Sequence, residues 1–314
     1  MRKSIGRLLS VALCLSLVSG IMFSNAKSAS ADAVVENEDS TYDRYIAFGD
    51  DLTSSEKATV LSEFGITEAD LDDYKVINIT NEDEHNYLDD YLDSSVIGTR
   101  ALSSVMIVKT EEGTGIDVST KNISYCTSGM YCNALVTAGL SDADVTVVGP
   151  FSISGTSALV GAMKAYSVMT GQEISDKTMD TATDELVTTA EVAENVGDPE
   201  KVEQLVAAAK QKIFEEQLSS EDDIRDAIES SANALNIDLS DEDVDSLTDM
   251  MMKVSQVDID VDAITEQASA IYNKLKDAGI DFSNVDTSGL AEKVGDFFAN
   301  IFDAVKDFFT GLFS

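Results

Sequence analysis

Strand signals stop at Gly171, and that one boundary constrains the chain more than any other feature. Before it, short β-branched runs alternate with helical spacings. After it, every periodic segment is helical. The least charged stretch, Val96 to Gly171, lies just before the boundary and ends in a helix apolar almost all round. Strands alternating with helices predict a layered α/β sheet, and a following run of helices predicts a separate all-α region. The expected class is therefore α+β or α/β: a mixed-sheet N-terminal domain over 43–171, then an all-α C-terminal region.

The elements follow from local chemistry. Tyr42 to Phe48 reads as a strand, and Gly49-Asp50-Asp51 turns out of it. Thr53 with Glu56 three residues on has capping-box spacing, and Gly65 ends the helix they open. Lys75 to Thr80 alternates and predicts a second strand. Asn81 opens a short helix that ends at Leu92. Ala101 to Lys109 and Ile116 to Thr120 flank a tight Glu-Glu-Gly-Thr-Gly loop, and together they predict a β-hairpin. Thr127 to Ala138 is helical. Val145 to Val148 is a short buried strand stopped by Gly149-Pro150, and Ser157 to Met169 is the apolar helix. Beyond it, 180–196, 199–217, 221–235, 241–254 and 261–276 all have helical spacing.

The two ends have a different character. Arg2, Lys3 and Arg7 precede an apolar run, Leu8 to Phe23, and Ala29-Ser30-Ala31 supplies a cleavage pattern. Residues 1–31 thus read as a signal peptide, with the mature chain beginning at Asp32 and secreted or held in the cell envelope. The apolar run is short for a membrane span. Residues 32–42 form an acidic lead-in and 278–289 a linker between the helical region (172–277) and the last helix (290–314). That last helix holds six of the 12 Phe and aligns Phe297, Phe298, Ile301, Val305, Phe308, Phe309 and Leu312 on one face. Such a face suits packing, self-association, a partner or a membrane surface. Its polar side carries four acids against Lys293 and Lys306, which fits anionic lipid poorly.

Charge narrows the partners. The net charge is −37, and loss of the four basic residues of the leader (Arg2, Lys3, Arg7, Lys27) takes it to −41. A field of that sign repels phosphate backbones, so nucleic acid is excluded as a partner. One histidine, His85, and no CxxC leave zinc and a histidine base without residues, and no cofactor is expected. The mature chain keeps Cys126 and Cys132. On one helix they would face ~240° apart, beyond disulfide reach, so a bond requires Cys126 to precede the helix. Two small thiols are the preferred reading.

Three constellations remain. In Gly149 to Ser157 (GPFSISGTS), hydroxyls and backbone N–H groups meet a helix start, so Ser154, Gly155, Thr156 and Ser157 are candidate ligand-binding residues. Thr127 and Ser128 at a second helix start join them. Ordinary capping and close packing explain the same pattern. Asp50 and Asp51, near the acidic run from Glu82 to Asp90, are candidate calcium ligands. Asp258-x-Asp260-x-Asp262 lacks the glycine and the glutamate of an EF-hand loop. A hydrolase built on Asp50, Ser154 and Thr156 is the enzymatic alternative, although no G-x-S-x-G elbow accompanies these serines.

Four segments carry a family resemblance: Tyr45 to Thr53 (YIAFGDDLT), Ile97 to Val105 (IGTRALSSV), Met130 to Gly139 (MYCNALVTAG) and Ser154 to Leu159 (SGTSAL). Together they resemble the YpuA-like exported proteins of Gram-positive bacteria, domain-of-unknown-function family 1002. The resemblance implies an exported protein of roughly this length and supplies no activity and no catalytic residues. The favoured reading is a non-enzymatic envelope or extracellular binding protein.

Overall fold

The computed structural model describes residues 43–171, 173–259 and 263–264. Five strands form one sheet in the order β2-β1-β3-β5-β4. They are β1 (Arg44–Gly49), β2 (Lys75–Ile79), β3 (Ser104–Lys109), β4 (Ile116–Ile123) and β5 (Ala143–Ile153). β1 pairs with β2 in parallel and with β3 antiparallel, whereas β5 pairs antiparallel with β3 and parallel with β4. The sheet is therefore mixed, and with the many helices the fold is α+β.

Alternation along β1 explains the layers. Tyr45 and Ala47 face one core, Ile46 and Phe48 the other. The smaller core is closed by α1 (Ser54–Phe64) through Val60, Leu61 and Phe64. Thr53 caps α1 in the expected capping box. The larger core holds α2 (Asn81–Leu88), the short α3 (Ser94–Ile97), α4 (Ser128–Thr137) and α5 (Thr156–Thr170). Gly161 lets α5 approach closely, because a Cβ there would lie 2.9 Å from Ala47 Cβ.

Past Gly171 the elements are α6 (Asp176–Val196), α7 (Pro199–Glu215), α8 (Glu221–Leu235) and α9 (Asp241–Val254). α6 packs against α4, α7 and α9, so its buried face joins the sheet's core to the helical layer as one apolar cluster. Among the described residues no helix is long and apolar enough to cross a membrane. The leader, the lead-in, the linker, most of 261–276 and the aromatic helix 290–314 lie outside the described residues.

Two local expectations are corrected. β3 and β4 do not form a hairpin, because β5 lies between them. The tight loop joins strands two places apart. Thr110 N donates to Asp142 O (2.8 Å), and Ala143 N donates to Gly115 O (3.1 Å). Asp142 Oδ1 accepts from Thr114 N and Gly115 N (2.9 and 3.0 Å), which seats β5 in the gap. Burial follows the same logic. β4 alternates buried and exposed from Ile116 to Ser119, as an edge strand does, whereas Val145, Val147 and Val148 are buried as in a central one. Nor does Gly149-Pro150 stop β5. The register shifts between Lys121 and Ile123, and Asn122 adopts φ 58° with its Nδ2 donating to Gly149 O (3.0 Å). That irregularity tolerates the proline, which has no N–H to give the ladder.

Candidate functional site

The loop from Ser154 to Ser157 starts α5, as its composition suggested, and three side chains organise it. Gly155 is the N-cap with φ 103°. A Cβ at that position would lie 2.4 Å from Tyr131 Oη, which donates to Gly155 O (2.6 Å). Ser103 Oγ accepts from Ala158 N (2.9 Å) and lies 2.7 Å from Ser157 Oγ, so a first-turn donor of α5 is already matched. Thr156 Oγ1 donates to Glu84 Oε1 (2.8 Å), and Ser154 Oγ lies 3.3 Å from Thr156 Oγ1.

Glu84 comes from α2 and is only 1 % exposed. Burial pushes its carboxyl up to about 7, with Thr156, Asn81 and His85 pulling the other way. The group is thus near half-protonated at neutral pH. A cleft of about 390 Å³ opens here, lined among others by Glu84, Arg100, Ser154 and Thr156.

The other predicted helix start lies in a separate, larger groove of about 660 Å³. Thr127 caps α4, its Oγ1 accepting from Met130 N (3.2 Å) and donating to Glu203 Oε2 of α7. Gly129 makes room for that carboxylate, since a Cβ there would sit 2.2 Å from the Glu203 carboxyl carbon. The structure thus divides the six predicted ligand residues. Ser154, Gly155, Thr156 and Ser157 line the cleft, Thr127 and Ser128 line the groove, and the two cavities share Ser124 and Tyr125. Beside each helix start, where an external anion was the expectation, a glutamate of the chain is hydrogen-bonded.

Of the two acidic candidates, Asp51 is engaged within the fold. Asp51 Oδ2 accepts from Ala101 N (2.8 Å), and Asp51 O accepts from Arg100 (2.8 Å). Arg100 also pairs with Glu56 (2.7 Å), which holds that carboxyl down at about 2. Asp50 is exposed and does not line the cleft that holds Ser154 and Thr156. Among the described residues no three His, Cys, Asp or Glu side chains gather as a cation site. His85 sits within α2, with Nδ1 2.6 Å from Asp89 Oδ1 and Nε2 3.3 Å from Gly98 O. The Asp89 hydrogen bond raises its pKa. Cys126 precedes α4 and Cys132 lies on it; no disulfide joins them. The aromatic residues from Phe297 to Leu312, expected on one helix face, lie outside the described residues.

Sequence reasoning placed Glu84 only within the acidic run from Glu82 to Asp90 and did not single out Glu185, Glu203 or Lys210. Glu185 and Lys210 are both fully buried, with Glu185 Oε1 2.5 Å from Lys210 Nζ. Lys210 Nζ also donates to Asn133 O and Thr137 Oγ1 (2.8 Å each). Burial raises the Glu185 pKa against the pull of Lys210. Spacing held a usable signal: Glu84 stands one turn before Leu88, and Lys210 lies between Val206 and Ile213 on the apolar face of α7.

The profile of the family described as "Protein of unknown function (DUF1002)" matches residues 48–271. The chain is 36% identical over 269 residues to "Uncharacterized protein YpuA" of Bacillus subtilis (strain 168), covering 85% of this chain and 90% of that protein. No solved structure matches.

Proposed function

The chain belongs to the DUF1002 family of proteins of unknown function, and from that premise we propose that it is an exported, non-enzymatic binding protein of the cell envelope or its surroundings. One observation carries the non-enzymatic part. The hydroxyls best placed for chemistry are committed to structural partners: Thr127 to Glu203, Thr156 to Glu84, and Ser157 to Ser103. The histidine of the described residues is engaged by Asp89 and Gly98. Two of these contacts tie separate elements together, Thr127 before α4 to α7 and Thr156 on α5 to α2, so in this reading the hydroxyls serve packing.

Export is supported by the basic start, the apolar run and the Ala29-Ser30-Ala31 pattern. The aromatic face of 290–314 is the proposed surface for association with a partner, a second copy or a membrane. Native mass spectrometry of the protein isolated from its producing cells tests both points, beside a variant ending at Gly289. A first residue of Asp32 and association lost with the tail support the reading. An unprocessed N-terminus, or association unchanged by truncation, counts against it.

One observation favours a second reading. Glu84, with its carboxyl raised to about 7, stands beside Ser154 and Thr156 in a cleft, an arrangement suited to hydroxyl and carboxylate hydrolysis. In that reading Glu84 takes the place first given to Asp50. Turnover of ester or glycoside substrates that is lost in Glu84→Gln would establish it.

A further inference from the structure

The larger groove has a property that neither reading uses: it runs along an open sheet edge. β4 ends the strand order, and among the described residues no strand lies beyond it. Gly115 O accepts from Ala143 N of β5. The Ile116 N–H shares that planar peptide and points the opposite way, toward the edge. Backbone groups alternate along a strand, so Ile116, Val118 and Thr120 turn their N–H and C=O groups outward. Cys132 Sγ approaches Ile116 O at 3.9 Å. The same three residues line the groove, which the starts of α4 and α7 wall on the far side.

The charge of the groove is one-sided. Among the described residues no Lys or Arg lines it, Glu200 and Glu203 do, and Glu191 and Glu194 act electrostatically on Tyr125 at its end. We propose that the groove takes an extended segment of a partner protein bearing lysine or arginine at alternate positions, added to β4 as a sixth strand. Main-chain hydrogen bonds to the edge supply affinity, and alternate cationic side chains descending toward Glu200 and Glu203 supply selectivity. A second copy of this chain would bring its own net charge of −37, and the segment 290–314 holds Glu292, Asp296, Asp303 and Asp307 against Lys293 and Lys306, so both meet repulsion here.

The inference rests on the reading of the chain as a binding protein, yet it fails separately, because Glu84-dependent turnover would overturn that reading without touching β4. The test uses the chain from Asp32 to Ser314 and an acetylated nonapeptide alternating Lys and Val. Its controls are the Glu-for-Lys peptide and two versions N-methylated on one or the other alternate set of amides. The expected result has four parts. The Lys peptide binds and the Glu peptide does not. Hydrogen exchange at the amides of Ile116, Val118 and Thr120 slows by about tenfold or more. One methylated set loses about tenfold in affinity while the other keeps it. Glu200→Gln, at an exposed position, weakens binding while the melting temperature barely moves. Equal binding by both methylated peptides would reduce the effect to charge attraction and overturn the proposal. Protection of those three amides before peptide is added would also overturn it, since the chain or a second copy would then cover the edge.

Discussion

Glu203 and Lys210 stand seven residues apart on α7 and hold opposite ends of α4. Two turns of helix separate them by about 10 Å along the axis. Glu203 meets Thr127 at the donor end, and Lys210 Nζ meets the Asn133 carbonyl and Thr137 near the other end. Each charge faces the helix pole of opposite sign. Asn133 Nδ2 donates to Glu203 O (2.9 Å) and adds a third tie between the two helices.

Lys210→Met should be severely destabilising, because it leaves Glu185 buried without its cation. The expected loss is about 3–5 kcal/mol in urea unfolding, and Glu185→Leu with Lys210→Met should recover much of it. If the double variant were as unstable as the single one, packing rather than charge would govern the site.

Gly49→Ala should cost more than about 2 kcal/mol, the range for a forced backbone shift in a core. An added Cβ would lie 2.3 Å from Ala101 O, a backbone atom in the crossing that seats Asp51. Thermal unfolding measures the effect. A melting temperature matching the parent's would mean that the 49–101 crossing yields without cost.

Glu84 makes stability depend on pH in a definite direction. Its folded pKa of about 7 lies above the ordinary 4.5, so between those values the native state holds a proton that the unfolded chain has released. Stability contributed here is full below 4.5, falls as pH rises toward 7, and is level above that. Glu84→Gln removes the dependence. The variant's advantage over the parent should grow from pH 5 to pH 8, reaching at most ~3 kcal/mol. A constant difference across that range would place the titration elsewhere.

Cys126 should resist alkylation in the native protein. It is buried, and burial pushes its thiol up to about 12, so the thiolate is scarce at pH 8. Iodoacetamide followed by peptide mass mapping should show Cys126 unmodified until denaturant is added. Labelling at the denatured rate would reveal opening of the segment before α4.

Much of the fold was legible locally. α8 and α9 keep the limits read from their spacing, Glu221–Leu235 and Asp241–Val254, because Ser220 and Ser240 cap acidic first turns. The Ser154–Ser157 loop was found because a glycine among hydroxyls before an apolar run is a helix start whatever surrounds it. Glu84 was not, because an acid in a first turn looks the same in sequence whether it faces water or Thr156.

What the sequence determined by itself was therefore the elements: which of the described segments become strands and which helices, which residues cap them, and the net charge of −37. Those properties depend on neighbours within a turn or two. Only the tertiary structure decided that β5 would part β3 from β4, that β4 would end the described sheet, and that Glu84, Glu203 and Lys210 would meet the termini of helices distant in the chain. Strand order and buried charge pairing are set by contacts spanning some 30 to 80 residues, where local spacing carries no information and the cost of leaving a polar group unmatched selects the arrangement.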